Sequence, residues 1–112
     1  MAIVDAARAV CLDDNPDRTR QLTPAEIAAV AKALGNPTRL AILELFHTRC
    51  PRTVGDIVAE LPLAQSTIST HLRILSDADV IRTIRTGPRA WHCLNRTVIN
   101  GLAHAATHIA RT

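Results

Sequence analysis

The sequence predicts a mainly α-helical fold carrying one small β-hairpin. Three observations predict it. Apolar residues fill 47% of the 112 positions but aromatic residues only 2%, so the core must be built from Leu, Ile, Val and Ala. Several stretches repeat apolar residues at helical spacing, and one stretch, Val80 to Leu94, changes to β-prone runs. A chain of this length fits one domain and buries roughly 65% of its unfolded surface.

Residues 2–11 read as a short helix with Ile3, Ala6, Ala7 and Val10 on one face, broken by the polar stretch Asp13 to Arg20. Such a piece cannot bury its stripe alone, and a partner subunit would cover it. Thr23 as N-cap, Pro24 at the first helical position and Glu26 completing a capping box start the next helix, with Ile27, Val30, Ala31 and Leu34 inward. Gly35 ends it. Asn36-Pro37 begins another, running to about His47 with Leu40, Leu43 and Phe46 inward, until Cys50-Pro51 stops it. Thr53 and Asp56 bracket a third start, with Val54, Ile57 and Leu61 on the core side and Pro62 limiting its length.

After the turn Pro62-Leu63-Ala64, Ile68, Leu72 and Leu75 repeat at i, i+4 and i+7, while Gln65, Ser66, Thr67, Ser69, Thr70, His71 and Arg73 occupy the other positions. Two helices joined by a tight turn, the second polar near its start, describe a helix-turn-helix. Val80 to Arg85 and Arg89 to Leu94 flank Thr86-Gly87-Pro88 as a hairpin, or wing, whose arms hold Arg82, Arg85 and Arg89. Asn95 is placed to cap a last helix with Val98, Leu102, Ala106 and Ile109 as its stripe. The expected organisation is a single winged helix-turn-helix domain: an arm and linker over 1–22, a core over 23–94 with the wing at 80–94, and a final helix over 95–112.

Charge points to the partner. Residues 1–60 carry 7 basic and 8 acidic groups, whereas 61–112 carry 6 and 2, so the half containing the polar helix and the hairpin is basic. The major groove of duplex DNA admits one helix and is read by short polar side chains and Arg. Gln65, Ser66, Thr67, Ser69, Thr70 and His71 offer that donor and acceptor set, and Arg73, Arg82, Arg85 and Arg89 are suited to neutralising phosphates beside it. An enzyme would have to work Cys11 or Cys50 against His47, without an oxyanion loop and without a phosphate cradle, since the four glycines are scattered. A sequence-neutral architectural DNA binder is the nearer competitor, and preference for an inverted repeat over random duplex separates the two.

The residues now assembled resemble the ArsR/SmtB family of metal-sensing repressors. The resemblance spans about Ile27 to Leu102 and rests on Ala33-Leu34-Gly35-Asn36-Pro37-Thr38-Arg39-Leu40-Ala41-Ile42-Leu43, on Leu63-Ala64-Gln65-Ser66-Thr67-Ile68-Ser69-Thr70-His71-Leu72, and on the wing around Gly87. It implies an elongated homodimer, paired through the first and last helices, that binds double-stranded DNA at an imperfect inverted repeat and releases it when an inducer binds. Thr70 stands where the family often has His, and Ala64 where it often has Ser, which implies a different operator preference.

The same resemblance offers several inducer sites. The last-helix metal site would fall on Asn95, Thr97, His108 and Arg111, of which only His108 is a ligand type, and the Cys-x-Cys site would fall at Thr53 to Asp56, where there is no thiol. An arsenic-type site resembles Cys11 and Cys50, from the arm and the loop before the helix-turn-helix, with His47 one turn away; soft trivalent ions take such thiolates. The other reading of that pair is two small apolar core residues. A nickel- or zinc-type alternative draws on His92, Cys93, His104 and His108, although adjacent His92 and Cys93 point to opposite strand faces. Thiol oxidation is a third route and needs no metal. Three widely spaced cysteines are expected as free thiols. No apolar run approaches the roughly 18 to 20 residues of a membrane span, and the first residues lack a signal pattern, so a cytoplasmic location is expected.

Overall fold

The computed structural model describes residues 18–111, so the expected helix over 2–11 and Cys11 lie outside the described residues. Among the described residues five helices and one hairpin follow in order: α1 (Pro24–Leu34), α2 (Pro37–Thr48), α3 (Val54–Val58), α4 (Gln65–Asp77), β1 (Ile81–Thr86), β2 (Arg89–Leu94) and α5 (Arg96–Ala110). None of the described helices is long and apolar enough to cross a membrane.

The helix starts form as their side-chain chemistry dictates. At α1 the Thr23 hydroxyl accepts from the Glu26 N–H (3.2 Å) while the Glu26 carboxylate accepts from the Thr23 N–H (3.0 Å). Thr23 backbone and hydroxyl contacts, followed by the Arg20 charge, hold the Glu26 carboxyl below the usual range against a small opposing effect of burial. The Asn36 side chain caps α2 by accepting from the N–H groups of Thr38 and Arg39, and Thr53 with Asp56 forms a second capping box at α3. Asn95 departs from expectation. Its side chain makes no helix-capping bond; its Oδ1 instead accepts from the Thr97 hydroxyl (2.9 Å) and from Arg82 Nη2 (3.3 Å).

The core gathers Val30 and Ala33 of α1, Ile42 and Phe46 of α2, Ile57 of α3, Ile68, Leu72 and Leu75 of α4, then Val80, Ile81 and Val98. Two stripes are rotated from the expected phase. On α1, Ala33 is buried and Ala31 exposed; on α2, Ile42 is fully buried while Leu40 is 51% exposed. Leu40 through Phe46 holds so many apolar residues that spacing alone leaves the face ambiguous, and packing against α1 and α4 decides it.

The hairpin starts one residue later than expected and pairs antiparallel from Ile81 with Leu94 to Thr86 with Arg89, closed by the two-residue loop Gly87-Pro88. Gly87 has φ +60°, which an L side chain adopts only with strain, and the following proline supplies φ near −65°. An isolated antiparallel bridge between Arg52 and His92 joins the segment before α3 to β2, with N–H···O distances of 3.0 and 2.8 Å. Residues 18–22 lie along α5. The Arg20 N–H donates to the Thr97 carbonyl (3.1 Å) and Asn100 Nδ2 donates to the Arg18 carbonyl (2.9 Å). That approach needs glycine at 101, since a Cβ there would stand 2.2 Å from the Arg20 carbonyl oxygen.

Candidate nucleic-acid interface

The amphipathic pattern of α4 is resolved as the sequence expects: Ile68, Leu72 and Leu75 are buried, whereas Gln65, Ser66, Thr67, Ser69, Thr70 and Arg73 are exposed. Burying three aliphatic side chains at about 1.5–3 kcal/mol each fixes the rotation of the helix, so its other side is turned to solvent without freedom to roll. The polar set is not uniform. The Thr70 hydroxyl donates to the Ser66 carbonyl (2.9 Å), leaving its oxygen as an acceptor, and half-buried His71 faces Arg39.

Between α4 and the wing lies a groove of about 500 Å³, lined among others by Ser69, Arg73, Ser76, Asp77, Arg85 and His92. Arg85 and Arg89 are exposed; Arg82 is half-buried and held by Asn95. Alternation along β1 puts Arg85 on the side of Thr83 and Arg82 on the other. His92 is held twice, by its backbone pairing to Arg52 and by a 3.1 Å contact between its Nδ1 and the Thr83 hydroxyl. Burial, helped by the Arg85 charge, pushes its pKa below the usual imidazole value, so the ring stays neutral in the groove.

Arg52 is the residue that sequence reasoning missed. Its side chain is 1% exposed, yet every edge of the guanidinium is paired: Nε donates to the Leu45 and Arg49 carbonyls, Nη2 to the Thr48 hydroxyl, and Nη1 to the Glu60 carboxylate at 3.0 Å. With the backbone bridge to His92, one residue ties the end of α2, the segment after α3 and the wing together. Nothing in composition or periodicity marks an arginine for burial. Arg39 was visible only inside the Asn36-Pro37-Thr38-Arg39 run, with no role attached.

The candidate inducer ligands do not converge among the described residues. No group of three or more His, Cys, Asp or Glu side chains takes metal-binding positions there. Cys93 is 1% exposed and engaged in a disulfide, which corrects the expectation of free thiols throughout; Cys50 is a free, half-buried thiol. Burial raises the Cys50 pKa, opposed more weakly by a backbone hydrogen bond at Leu94 and by the Arg96 and Arg52 charges. His104 and His108 are both exposed on α5, and His47 is exposed at the end of α2.

A family of helix-turn-helix domains matches residues 34–84. The transcriptional repressor SdpR of Bacillus subtilis (strain 168) is 40% identical over 70 residues, 62% of this chain and 77% of that protein. The arsenical resistance operon repressor of the same organism is 35% identical over 71 residues, 63% of this chain and 68% of the relative. Among solved structures, the homodimeric winged helix-turn-helix DNA-binding domain from Mycobacterium bovis is similar with a TM-score of 0.63 at 26% identity, over 77% of this chain and 80% of that one.

Proposed function

Because the chain belongs to the ArsR/SmtB family of winged helix-turn-helix transcriptional regulators, we propose that it works as a homodimer that reads an imperfect inverted repeat through α4 and is released by a thiophilic metalloid. That it is a DNA-binding transcriptional regulator rather than an enzyme follows from its relatives. The observation that carries the DNA reading is the pairing of a fully buried aliphatic stripe with an exposed face of Gln65, Ser66, Thr67, Ser69, Thr70 and Arg73 on the same 13-residue helix.

Gln65, Ser69 and neighbouring hydroxyls take the base edges, and Arg73, Arg85 and Arg89 take phosphates; Arg82 contributes by steadying the wing through Asn95. Two copies of α4 enter successive grooves when half-sites lie about one helical turn, or 10–10.5 base pairs, apart. The exposed apolar end of α5, with Ile109 at 67% exposure, supports pairing through the terminal helices, as does the homodimeric relative from Mycobacterium bovis.

For the inducer, the named arsenical resistance repressor among the relatives and the free thiol of Cys50 support a metalloid held by Cys50, with Cys11 as the second thiolate in the fully reduced chain. Cys50 is two residues from Arg52, so a ligand gathered there pulls on the residue that joins α2, Glu60 and the wing. A bound metalloid would supply thiolate cross-linking. The ordinary task of Cys50 is then to lose its proton from a half-buried position.

Selection of duplexes from a random pool tests the DNA reading. An inverted repeat should emerge, and Gln65→Ala or Ser69→Ala should bind it no better than random duplex; undiminished discrimination counts against α4. Release of the selected duplex by arsenite, nickel, zinc, cadmium and peroxide tests the inducer. Cys50→Ser should still bind and should no longer respond to arsenite; release by nickel that is lost in His104→Ala with His108→Ala would replace the metalloid by the histidine pair.

A further inference from the structure

Arg39 occupies the third position of α2, three residues after the Asn36 cap, and is half-buried. Its Nε donates to the Ala33 carbonyl at 2.6 Å, and its Nη2 donates to the Lys32 carbonyl at 3.4 Å. Both carbonyls lie in the last turn of α1, and the Lys32 oxygen also accepts from the Gly35 N–H (3.2 Å). The guanidinium is planar and rigid, so two anchors on α1 fix the direction of its remaining edge. That edge faces α4: Arg39 Nη1 lies 3.3 Å from His71 Nδ1.

An arginine has donors only, so His71 Nδ1 must be the acceptor in this contact. A neutral imidazole that accepts at Nδ1 carries its proton at Nε2. We infer that Arg39 is a positioning residue that locks His71 in the Nε2–H tautomer, so that the recognition helix presents the duplex with a hydrogen-bond donor at this position and not an acceptor. The chemistry recognised is a hydrogen-bond acceptor on DNA: a purine N7, guanine O6 or a phosphate oxygen. The inference rests on α4 entering the duplex, but its tautomer half holds without DNA and is measured separately.

Nitrogen-15 NMR of the histidine side chains, on the full chain without DNA and at a pH where the ring is neutral, reads the tautomer directly. The wild type should show His71 with a protonated Nε2 and an unprotonated Nδ1, and Arg39→Lys should show the two tautomers in exchange, since one ammonium cannot hold Ala33, Lys32 and His71 together. A wild-type His71 protonated at Nδ1, or already averaged, overturns the inference whatever the DNA results. Arg39→Met is the second variant, compared at matched folded fraction by circular dichroism.

Binding then tests the donor. His71→Asn should weaken binding to the selected duplex by about three- to tenfold, the size of one neutral hydrogen bond, and Arg39→Lys by about twofold, the share of the donor tautomer lost when the two exchange. His71→Gln, whose amide can donate from about where Nε2 lies, should recover most of the loss. A loss confined to the selected duplex identifies a base edge as the acceptor, and an equal loss on every duplex with a shallower salt slope identifies a phosphate. Wild-type affinity in both His71 variants overturns the DNA half of the inference, whereas failure of Gln65→Ala and Ser69→Ala to alter discrimination overturns the reading beneath it.

Discussion

Helices α4 and α5 are both amphipathic, yet they stand differently in the fold. On α4 the apolar stripe is consumed: Ile68 and Leu75 are fully buried and Leu72 is 4% exposed. On α5 only the first turns are consumed. Val98 is buried and Leu102 half-buried, but Ala106 is exposed and Ile109 is 67% exposed. A helix whose apolar side is satisfied within its own chain is free to offer its polar side to a ligand; a helix whose apolar side continues past the core is prepared for a protein surface instead. The same pattern in the sequence therefore meets two environments among the described residues: on α4 the stripe is covered, and on α5 its last turns are exposed.

The largest expected effect tests the α4 half. Leu75→Ala should cost about 2–5 kcal/mol of folding stability, measured by denaturant unfolding, because a fully buried aliphatic group leaves a cavity at the centre of the core. Ile109→Ser should change the unfolding free energy of the isolated chain by no more than about 0.5 kcal/mol. It should instead weaken self-association in sedimentation; a large stability loss with association unchanged would show that α5 is ordinary core and break the contrast. Arg85→Ala sharpens the α4 side, since it should leave folding intact, weaken binding to all duplexes and reduce the salt slope by about one.

The smallest effect lies off both helices. In a chain carrying Cys11→Ser and Cys93→Ser, alkylation of Cys50 should be slower than that of an exposed thiol at neutral pH. Its rate should rise with pH to a midpoint above the ordinary thiol value, because burial favours the protonated form and only the thiolate attacks. A midpoint below that value would mean the Arg96 and Arg52 charges outweigh burial.

Much of this was legible in the residues themselves. Thr23 with Glu26, Asn36 with Pro37, and Thr53 with Asp56 are local signals, and each fixes a helix start through bonds spanning two or three residues. The α4 stripe was legible because few apolar residues compete for its faces. Phase failed where they do compete: Ala33 took the place of Ala31, and Ile42 that of Leu40. What stayed hidden depends on long-range pairing. Arg52 is buried because carbonyls at 45 and 49, a hydroxyl at 48 and a carboxylate at 60 converge on it, and Arg39 meets His71 across 32 residues. Asn95 reads as a cap, but its amide is taken by Arg82 and Thr97.

The contrast between the two helices is tested most directly by backbone amide chemical shifts of the full chain, recorded with and without the selected duplex. Addition of DNA should move the signals of Gln65 to Arg73 and of the wing around Arg85 to Arg89, and leave those of His104 to Ala110 in place. Shifts centred on α5 with the Gln65 to Arg73 signals unmoved would contradict the assignment of α4 to the duplex.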